Sequence, residues 1–239
     1  MSTLATAAWP EISDRPLVLM PLGAIEQHGP HLPLHTDAVI AEAVATRVAQ
    51  LLRDENVVVA PVQAYGASGE HQMFPGTSSI GTDALRLLVI ELVRSMSTWS
   101  GRIVLVNAHG GNVTALTDAV IRLLDEGHDV VWVPCAAGEV DAHAGYTETS
   151  LMLHLRPSTV RLDRAEPGNT APIEELWPTL RHEGIGAASA NGVLGDPTGA
   201  SPDVGARCLE AIADNVATLI RVGRIDSRGM LQRVAAPTP

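Results

Sequence analysis

Apolar and polar positions follow one another along this chain in two rhythms. Short, nearly unbroken apolar runs at Leu17–Leu22, Val57–Val62, Arg102–Val106 and Asp129–Pro134 have the length and β-branched content of strands buried on both faces. Longer stretches with helical spacing lie between them. An alanine-rich one runs from about Asp37 to Asp54. In a second, opened by Thr82 or Asp83 as cap and ending near Trp99, Leu85, Leu88, Val89, Leu92 and Val93 share a face. Val113 to Glu126 forms a third. This alternation predicts an α/β fold with a mostly parallel sheet covered on both faces. In such sheets functional groups gather beyond the carboxyl ends of the strands.

The second half is less regular. Leu151 to Leu155 reads as a helix with Glu148 in its first turns, stopped by Pro157, and Val160 starts a short strand. Glu166 to Gly205 is rich in Gly, Pro and Asn and reads as ordered loops over a site or at a subunit contact. Ser201-Pro202-Asp203 opens a last helix that reaches about Val222, with Pro at the first helical position. Met1 to Ala8 reads as a loose start, Trp9-Pro10 as tucking against the body, and Val234 to Pro239 as a disordered end. With no repeat or linker, residues 1–239 read as one domain.

Composition narrows the partners. At 239 residues and 46% apolar content the chain can bury one sizeable core. A formal net charge of −11 argues against nucleic acid as a partner, since phosphate binding needs a basic footprint. All 16 basic residues are Arg, which excludes a Walker-type phosphate loop and any lysine Schiff base. Cys135 and Cys208 sit in apolar surroundings and read as reduced, buried thiols rather than a disulfide or a nucleophile. Neither a signal-peptide pattern nor an apolar run of about 18 residues is visible, so the expectation is a soluble, cytoplasmic protein with no membrane partner.

The candidate chemistry starts at the end of the first strand. Gly23 to Asp37 packs Glu26, His28, His31, His35 and Asp37 into one stretch, and Pro30 and Pro33 keep it from forming a helix. Glu26 and His28 project to one side of an extended backbone. Asp37, read alone, is equally a helix cap; together these groups form a donor set for zinc, manganese or ferrous iron. His109 ends the third strand before Gly110-Gly111, with Asn107 and Asn112 placed to orient the loop or a ligand. Two glycines opening a helix also suit a phosphate, but no dinucleotide fingerprint accompanies them. Tyr65 to Thr77, with Glu70 and His71, is either a functional loop or a plain surface Ω-loop. Glu148 is either a surface residue or the carboxylate of a second metal position. His143 orients Glu148, shuttles protons or simply packs. His31 and His35 read as supporting residues, and His128, His154 and His182 as solvated or packed. Two cations sharing Asp37 would lie roughly 3.5–4 Å apart over a bridging water or hydroxide able to attack an amide carbonyl. A nearby acid, His143 or a carboxylate such as Glu148, must then protonate the departing nitrogen.

Glu26-Gln27-His28-Gly29-Pro30-His31-Leu32-Pro33 with Thr36-Asp37 resembles the hallmark of the creatininase family. Phe74-Pro75-Gly76-Thr77, Asn107 to Asn112, His143-Ala144-Gly145 through Glu148-Thr149-Ser150, and Gly195-Asp196-Pro197 with Ala200-Ser201 match that family's other motifs. The resemblance implies a three-layer α/β/α sandwich, often hexameric, with a dinuclear metal centre. It implies Glu26, His28, Asp37 and His109 as ligands, with Asp37 bridging. Creatininase itself carries a glutamate where this chain has Gly111, and Glu148 is the substitute ligand here. The family also often has Glu where this chain has Tyr146. Trp9-Pro10 through Asp14-Arg15-Pro16, and Gly168 to Pro172 with Leu176-Trp177-Pro178, resemble the family's mycofactocin-system branch. That branch implies a peptidase releasing the modified C-terminal Val-Tyr dipeptide from the precursor peptide of a redox cofactor. The alternatives are an amidohydrolase on a small cyclic or formyl amide, and a metal-binding oligomeric scaffold with no turnover.

Overall fold

A computed structural model describes residues 2–53, 55–136 and 141–233. Its centre is a five-stranded parallel sheet. In chain order the strands are β1 (Ser2–Thr3), β2 (Leu17–Leu22), β3 (Val57–Val59), β4 (Ile103–Asn107) and β5 (Val130–Pro134), and in space they lie β1-β3-β2-β4-β5. Successive strand residues face opposite ways, and both faces are apolar because both are covered. Val18, Met20, Leu22, Ile103, Leu105, Val130 and Trp132 pack under α2 (Thr82–Met96) and α3 (Val113–Asp125). Leu19, Val104, Val106, Val131 and Val133 pack under α1 (Thr36–Leu51), α4 (Tyr146–Leu155) and α7 (Pro202–Val222). The result is the expected three-layer α/β/α sandwich.

This order creates a crevice. β2 leads through α1 to β3 on one side, whereas its other neighbour, β4, leads into α3 on the opposite face. Chains leaving the adjacent ends of β2 and β4 therefore diverge, and such a switch point is where open α/β sheets bind ligands.

Several expectations are corrected. The start is not loose from Ser2 onward: β1 pairs with β3, and Leu4 packs on the core. Trp9 does not tuck in; it is 87% exposed. β3 ends at Val59, two residues before Pro61, which has no N–H for a ladder. Neither Thr82 nor Asp83 caps α2, whose N-cap is Gly81 at φ 78°; Ile90 is buried there while Leu92 is 38% exposed. Val160 starts no strand, and 3-10 turns at Pro157–Thr159 and Leu162–Arg164 flank it.

The largest departure lies in residues 166–205. Two helices form there, α5 (Ile173–Glu183) and α6 (Ile185–Ala188). Leu176, Leu180, Ile185 and Leu194 make a small separate core with Phe74 and Ile173 against it. A short hairpin, β6 (Arg224–Ile225) with β7 (Leu231–Gln232), follows α7 and was not expected. Ser201 does cap α7, its Oγ accepting from the Val204 N–H at 3.3 Å. Cys135 and Cys208 are both free thiols, half-buried rather than fully buried. The expectation for Val234 to Pro239 lies outside the described residues, as does the Gly138-Glu139-Val140 part of the loop before α4.

Candidate metal centre

Four chain segments meet at the crevice. At the end of β2, a Cβ on Gly23 would strike the backbone of Asp37 and Ala38. Only glycine lets the first turn of α1 lie so close, and that contact sets Asp37 beside the Glu26–His28 stretch. His28 directs Nδ1 at the Glu26 carbonyl (3.1 Å) and Nε2 at Asp37 Oδ1 (3.0 Å). Glu148 Oε2, from the first turn of α4, is 3.9 Å from the same Nε2. On the other side, His109 holds Nε2 3.2 Å from Glu26 Oε2 and Nδ1 3.4 Å from Asp37 Oδ2. Asp37 thus turns one oxygen to each imidazole. The structure brings Glu26, His28, Asp37, His109, His143 and Glu148 into a single cluster.

Charge balance in the cluster calls for a cation. Glu26 is wholly buried, yet neither of its carboxylate oxygens accepts a hydrogen bond of good geometry, and Asp37 Oδ2 has none either. A buried ionised carboxylate left so costs several kcal/mol unless a positive charge meets it. Glu26 with His28 and Asp37, His28 with His143 and Glu148, and Glu26 with His71 and His143 each offer three donor atoms within 4.8 Å of one another. Carboxylate oxygen with imidazole nitrogen is the donor chemistry of divalent transition metals. The residues fit such ions.

The protonation states show the same pull. Burial opposes charge on His28, but Asp37 and then Glu148 and Glu26 outweigh it and hold its pKa up at about 10. His109 behaves alike: burial works against the charged ring, while Glu26, Asp37 and Glu70 raise it to about 10. Glu26 is driven far down despite its burial, by His109, His71 and His143. Burial pushes Glu148 up to about 7, with His28 opposing and Asp37 adding to the rise. Both imidazoles are thus drawn toward their charged forms by the carboxylates around them.

Gln27 fixes the remaining two rings. Its Oε1 accepts from the Gly29 N–H (2.8 Å), which aims the amide NH2 at Gly192 O (3.0 Å) and His71 Nδ1 (3.0 Å). His71 therefore accepts at Nδ1 and carries its proton on Nε2, 3.4 Å from Glu26 Oε1. His143 Nε2 lies 2.8 Å from the Gln27 carbonyl and donates to it, leaving the Nδ1 lone pair 3.8 Å from Glu26 Oε1. Both rings are neutral. Burial lowers His71 to about 4, helped by His109 and His28, and lowers His143 well below its ordinary value, helped by His28 and His71. His143 packs between His28 and His71, with centroids at 4.4 and 4.6 Å. Next to it, Ala144 sits at φ 53°, where non-glycine residues are strained, and its N–H donates to Glu148 Oε2 at 2.6 Å.

Asn112 ties the segments together. Its Oδ1 accepts from the Ala67 N–H (2.9 Å), and its Nδ2 donates to Gly23 O and Asn107 Oδ1, both at 3.1 Å. Asn107 in turn donates to the His109 carbonyl at 2.7 Å. The loops after β2, β3 and β4 are thereby pinned to one amide. His31 lies behind the cluster, bonded to Thr149 Oγ1 at 2.9 Å. His35 stands at the N-cap position of α1, and His128, His154 and His182 stay outside the cluster. Two members, His71 and Glu70, were left open in the sequence as part of a loop that was either functional or a plain surface Ω-loop. The Tyr65–Thr77 loop, with its turn at Gly69–His71, brings Glu70 Oε1 to 3.6 Å from His109 Nε2. Glu70 occupies the space a side chain at Gly111 would need, since a Cβ there would overlap Glu70 Oε1 and His109 Nε2.

Above the cluster opens a cavity of about 690 Å3. Glu70, His71, His109 and His143 form its floor, and Ile173, Trp177, Leu180 and Arg181 of α5 form a wall. That size lies within the range of roughly 300–1,000 Å3 usual for small-molecule sites.

A family profile described as creatininase, creatinine amidohydrolase, matches residues 5–220. The chain belongs to the creatininase family. A creatininase-family relative from Mycolicibacterium smegmatis, a mycofactocin precursor peptide peptidase, is 52% identical over 219 residues, covering 90% of this chain and 89% of its own. Among solved creatininase structures, a point mutant of the Zn-Zn type aligns with TM-score 0.74 at 28% identity, over 92% of this chain and 98% of that one. The manganese form aligns with TM-score 0.74 at 29% identity and the same coverage. The fold and the hydrolase class of this chain are those of the creatininase family.

Proposed function

We propose that this protein is a metal-dependent peptidase that releases the modified C-terminal Val-Tyr dipeptide from the mycofactocin precursor peptide. The observation that carries the reading is the Glu26–His28–Asp37–His109–Glu148 cluster, with unsatisfied carboxylate oxygens on Glu26 and Asp37, beneath a cavity whose floor His109 reaches. Identity of 52% to a relative with that activity, against 28–29% to creatininases, favours a peptide over a small cyclic amide.

In this reading Glu26, His28, Asp37, His109 and Glu148 hold two divalent cations, ferrous iron or zinc, with manganese acceptable to the same donors. Asp37, with one oxygen toward His28 and the other toward His109, would be available to both. When bound, such a pair acidifies water and polarises the amide carbonyl. His143 takes the proton of the attacking water at Nδ1, its vacant nitrogen, and returns it to the leaving amine, with Glu148 as the neighbouring carboxyl. His71 places Nε2 3.4 Å from Glu26 Oε1 and so packs against that carboxylate. Gln27 keeps both rings in these tautomers, and the apolar face of α5 excludes water from the bound peptide end. The same reading carries a cytoplasmic setting and a homo-oligomer. Among the described residues no helix is long and apolar enough to cross a membrane.

The test is incubation of metal-loaded protein with modified precursor, followed by mass spectrometry. Wild type is expected to yield the dipeptide-derived product and Glu26→Gln to yield at least a hundredfold less, as roughly expected when a key electrostatic group is lost. No release by wild type, or undiminished release by Glu26→Gln, defeats the reading.

A further inference from the structure

We propose that Glu70 is a further carboxylate ligand, carried on the Tyr65–Thr77 loop to the His109 side of the metal centre. The inference rests on the metal-dependent reading and adds to it a donor from the loop after β3.

His109 Nε2 is surrounded by oxygen. Ala67 O lies at 3.1 Å, Glu26 Oε2 at 3.2 Å, Ser68 Oγ at 3.4 Å and Glu70 Oε1 at 3.6 Å. A ring nitrogen carries at most one hydrogen, which can serve only one of these oxygens well. Two of the four belong to carboxylates, and like charges converging on one atom repel unless a cation lies among them. Donors held about 2.0–2.2 Å from one divalent metal stand roughly 3–3.5 Å from one another. The four oxygens lie at that spacing or just beyond it. Glu26 and Glu70 also share a second imidazole as neighbour, since His71 Nε2 is 3.4 Å from Glu26 Oε1 and 3.9 Å from Glu70 Oε1. On the other side Glu148 Oε2 stands 3.9 Å from His28 Nε2, so His28 and His109 each have a carboxylate of their own from a later segment.

The backbone is shaped to put Glu70 there. A Cβ on Gly111 would overlap the Ala67 carbonyl as well as Glu70 Oε1 and His109 Nε2, and one on Gly66 would strike Asn112 Oδ1 and Gly23 O. Glycine at both places lets the loop after β3 lie directly on the loops after β2 and β4. The turn at Gly69–His71 then faces Glu70 toward the cluster. Its ionic neighbours among the described residues are His71 and His109, and no arginine reaches it. Of the carboxylates in the cluster, Glu70 alone lines the large cavity. Its side chain is 28% exposed, so its charge can be removed without leaving a hole in the core.

The experiment uses Glu70→Gln, with Glu148→Gln as its counterpart on the His28 side. Metal-stripped proteins are titrated with zinc against a chromophoric chelator, and the ions in zinc-loaded crystals are located by anomalous diffraction. Wild type is expected to hold two ions, one of them with a Glu70 oxygen at about 2.0–2.2 Å. Glu70→Gln is expected to bind the ion beside His109 about 100-fold more weakly or worse, beyond the roughly 10–100-fold typical of a group that only supports a ligand. It should keep the ion beside His28, and Glu148→Gln should show the reverse. Unfolding temperatures of the stripped proteins should match wild type, with a smaller rise on adding zinc in Glu70→Gln. Two ions held by Glu70→Gln with wild-type affinity, or wild-type ions that both lie beyond about 3 Å from Glu70, overturn the proposal while leaving peptide cleavage intact. A wild type that binds no pair of ions and releases no dipeptide overturns the metal-dependent reading itself, and this inference with it.

Discussion

The floor and the wall of the cavity are built on opposite principles. The donor cluster under the floor is anchored at the ends of β2 and β4, central strands buried on both faces, and Glu26, His28, Asp37 and His109 are themselves buried. The wall is α5, an exposed helix with only Leu176 and Leu180 buried, resting on α6 and on the Gly69–His71 turn. Chemistry that needs ligands held to within fractions of an ångström sits on the rigid part. Choice of substrate sits on the part that touches little else. A change in the floor should therefore cost turnover and metal together, whereas a change in the wall should alter substrate affinity alone.

The sharpest break of that contrast is Asp37→Asn. It removes charge from the one residue that addresses both halves of the cluster. Forfeiting several kcal/mol of metal-assisted stabilisation implies roughly a 10³-fold or greater fall in kcat. Metal analysis of the purified protein should show fewer bound ions. If both ions and turnover survive, the floor is not organised around Asp37.

Next in size is Asn112→Ala, which touches no substrate. Residues that support a metal site typically cost 10–100-fold, roughly, in metal affinity or activity when removed. Titration with zinc should show that loss with the fold unchanged by circular dichroism. On the wall, Trp177→Ala should raise KM about tenfold, in keeping with roughly 1–3 kcal/mol for a pocket contact. It should leave metal binding and kcat in place, and a loss of metal would erase the floor-and-wall distinction.

A smaller effect concerns pH. His28 and His109 each keep a proton up to about 10 when no metal is bound. A cation must displace those protons, so metal affinity is expected to climb as pH rises from 6 to 8, with proton release visible by calorimetry in buffers of differing ionisation enthalpy. Smallest is Glu126→Gln, far from both floor and wall. Hydrogen bonds from Arg94 and Arg122 hold Glu126 down at about 2. Its pairs contribute stability above the ordinary carboxylate range, and that contribution is lost as pH falls toward 2. The Tm difference from wild type should be slight at pH 7, shrink below pH 4.5, and fade with added salt because the network is exposed.

The sheet was legible in the sequence because its strands are short, apolar and regularly interrupted, and Leu17–Leu22 was placed to the residue. The floor was legible for a different reason: Glu26, His28 and Asp37 are local neighbours, and His109 and Glu148 occupy equivalent places at later element ends. His71 was not, because nothing in the spacing of Tyr65 to Thr77 says which way its turn points. α5 was misread although Ile173, Leu176, Trp177 and Leu180 repeat at helical intervals. Pro178 in its middle, and the glycines and prolines flanking it, argued for loop more loudly than four apolar residues argued for helix.

The resting place of α5 has a mechanical consequence. The turn that props it up is the same one that carries His71 to Glu26 and Glu70 to His109. Anything wedged beneath the helix leans on the strut that steadies the acidic floor, so filling the cavity and tightening the catalytic groups are two ends of one lever.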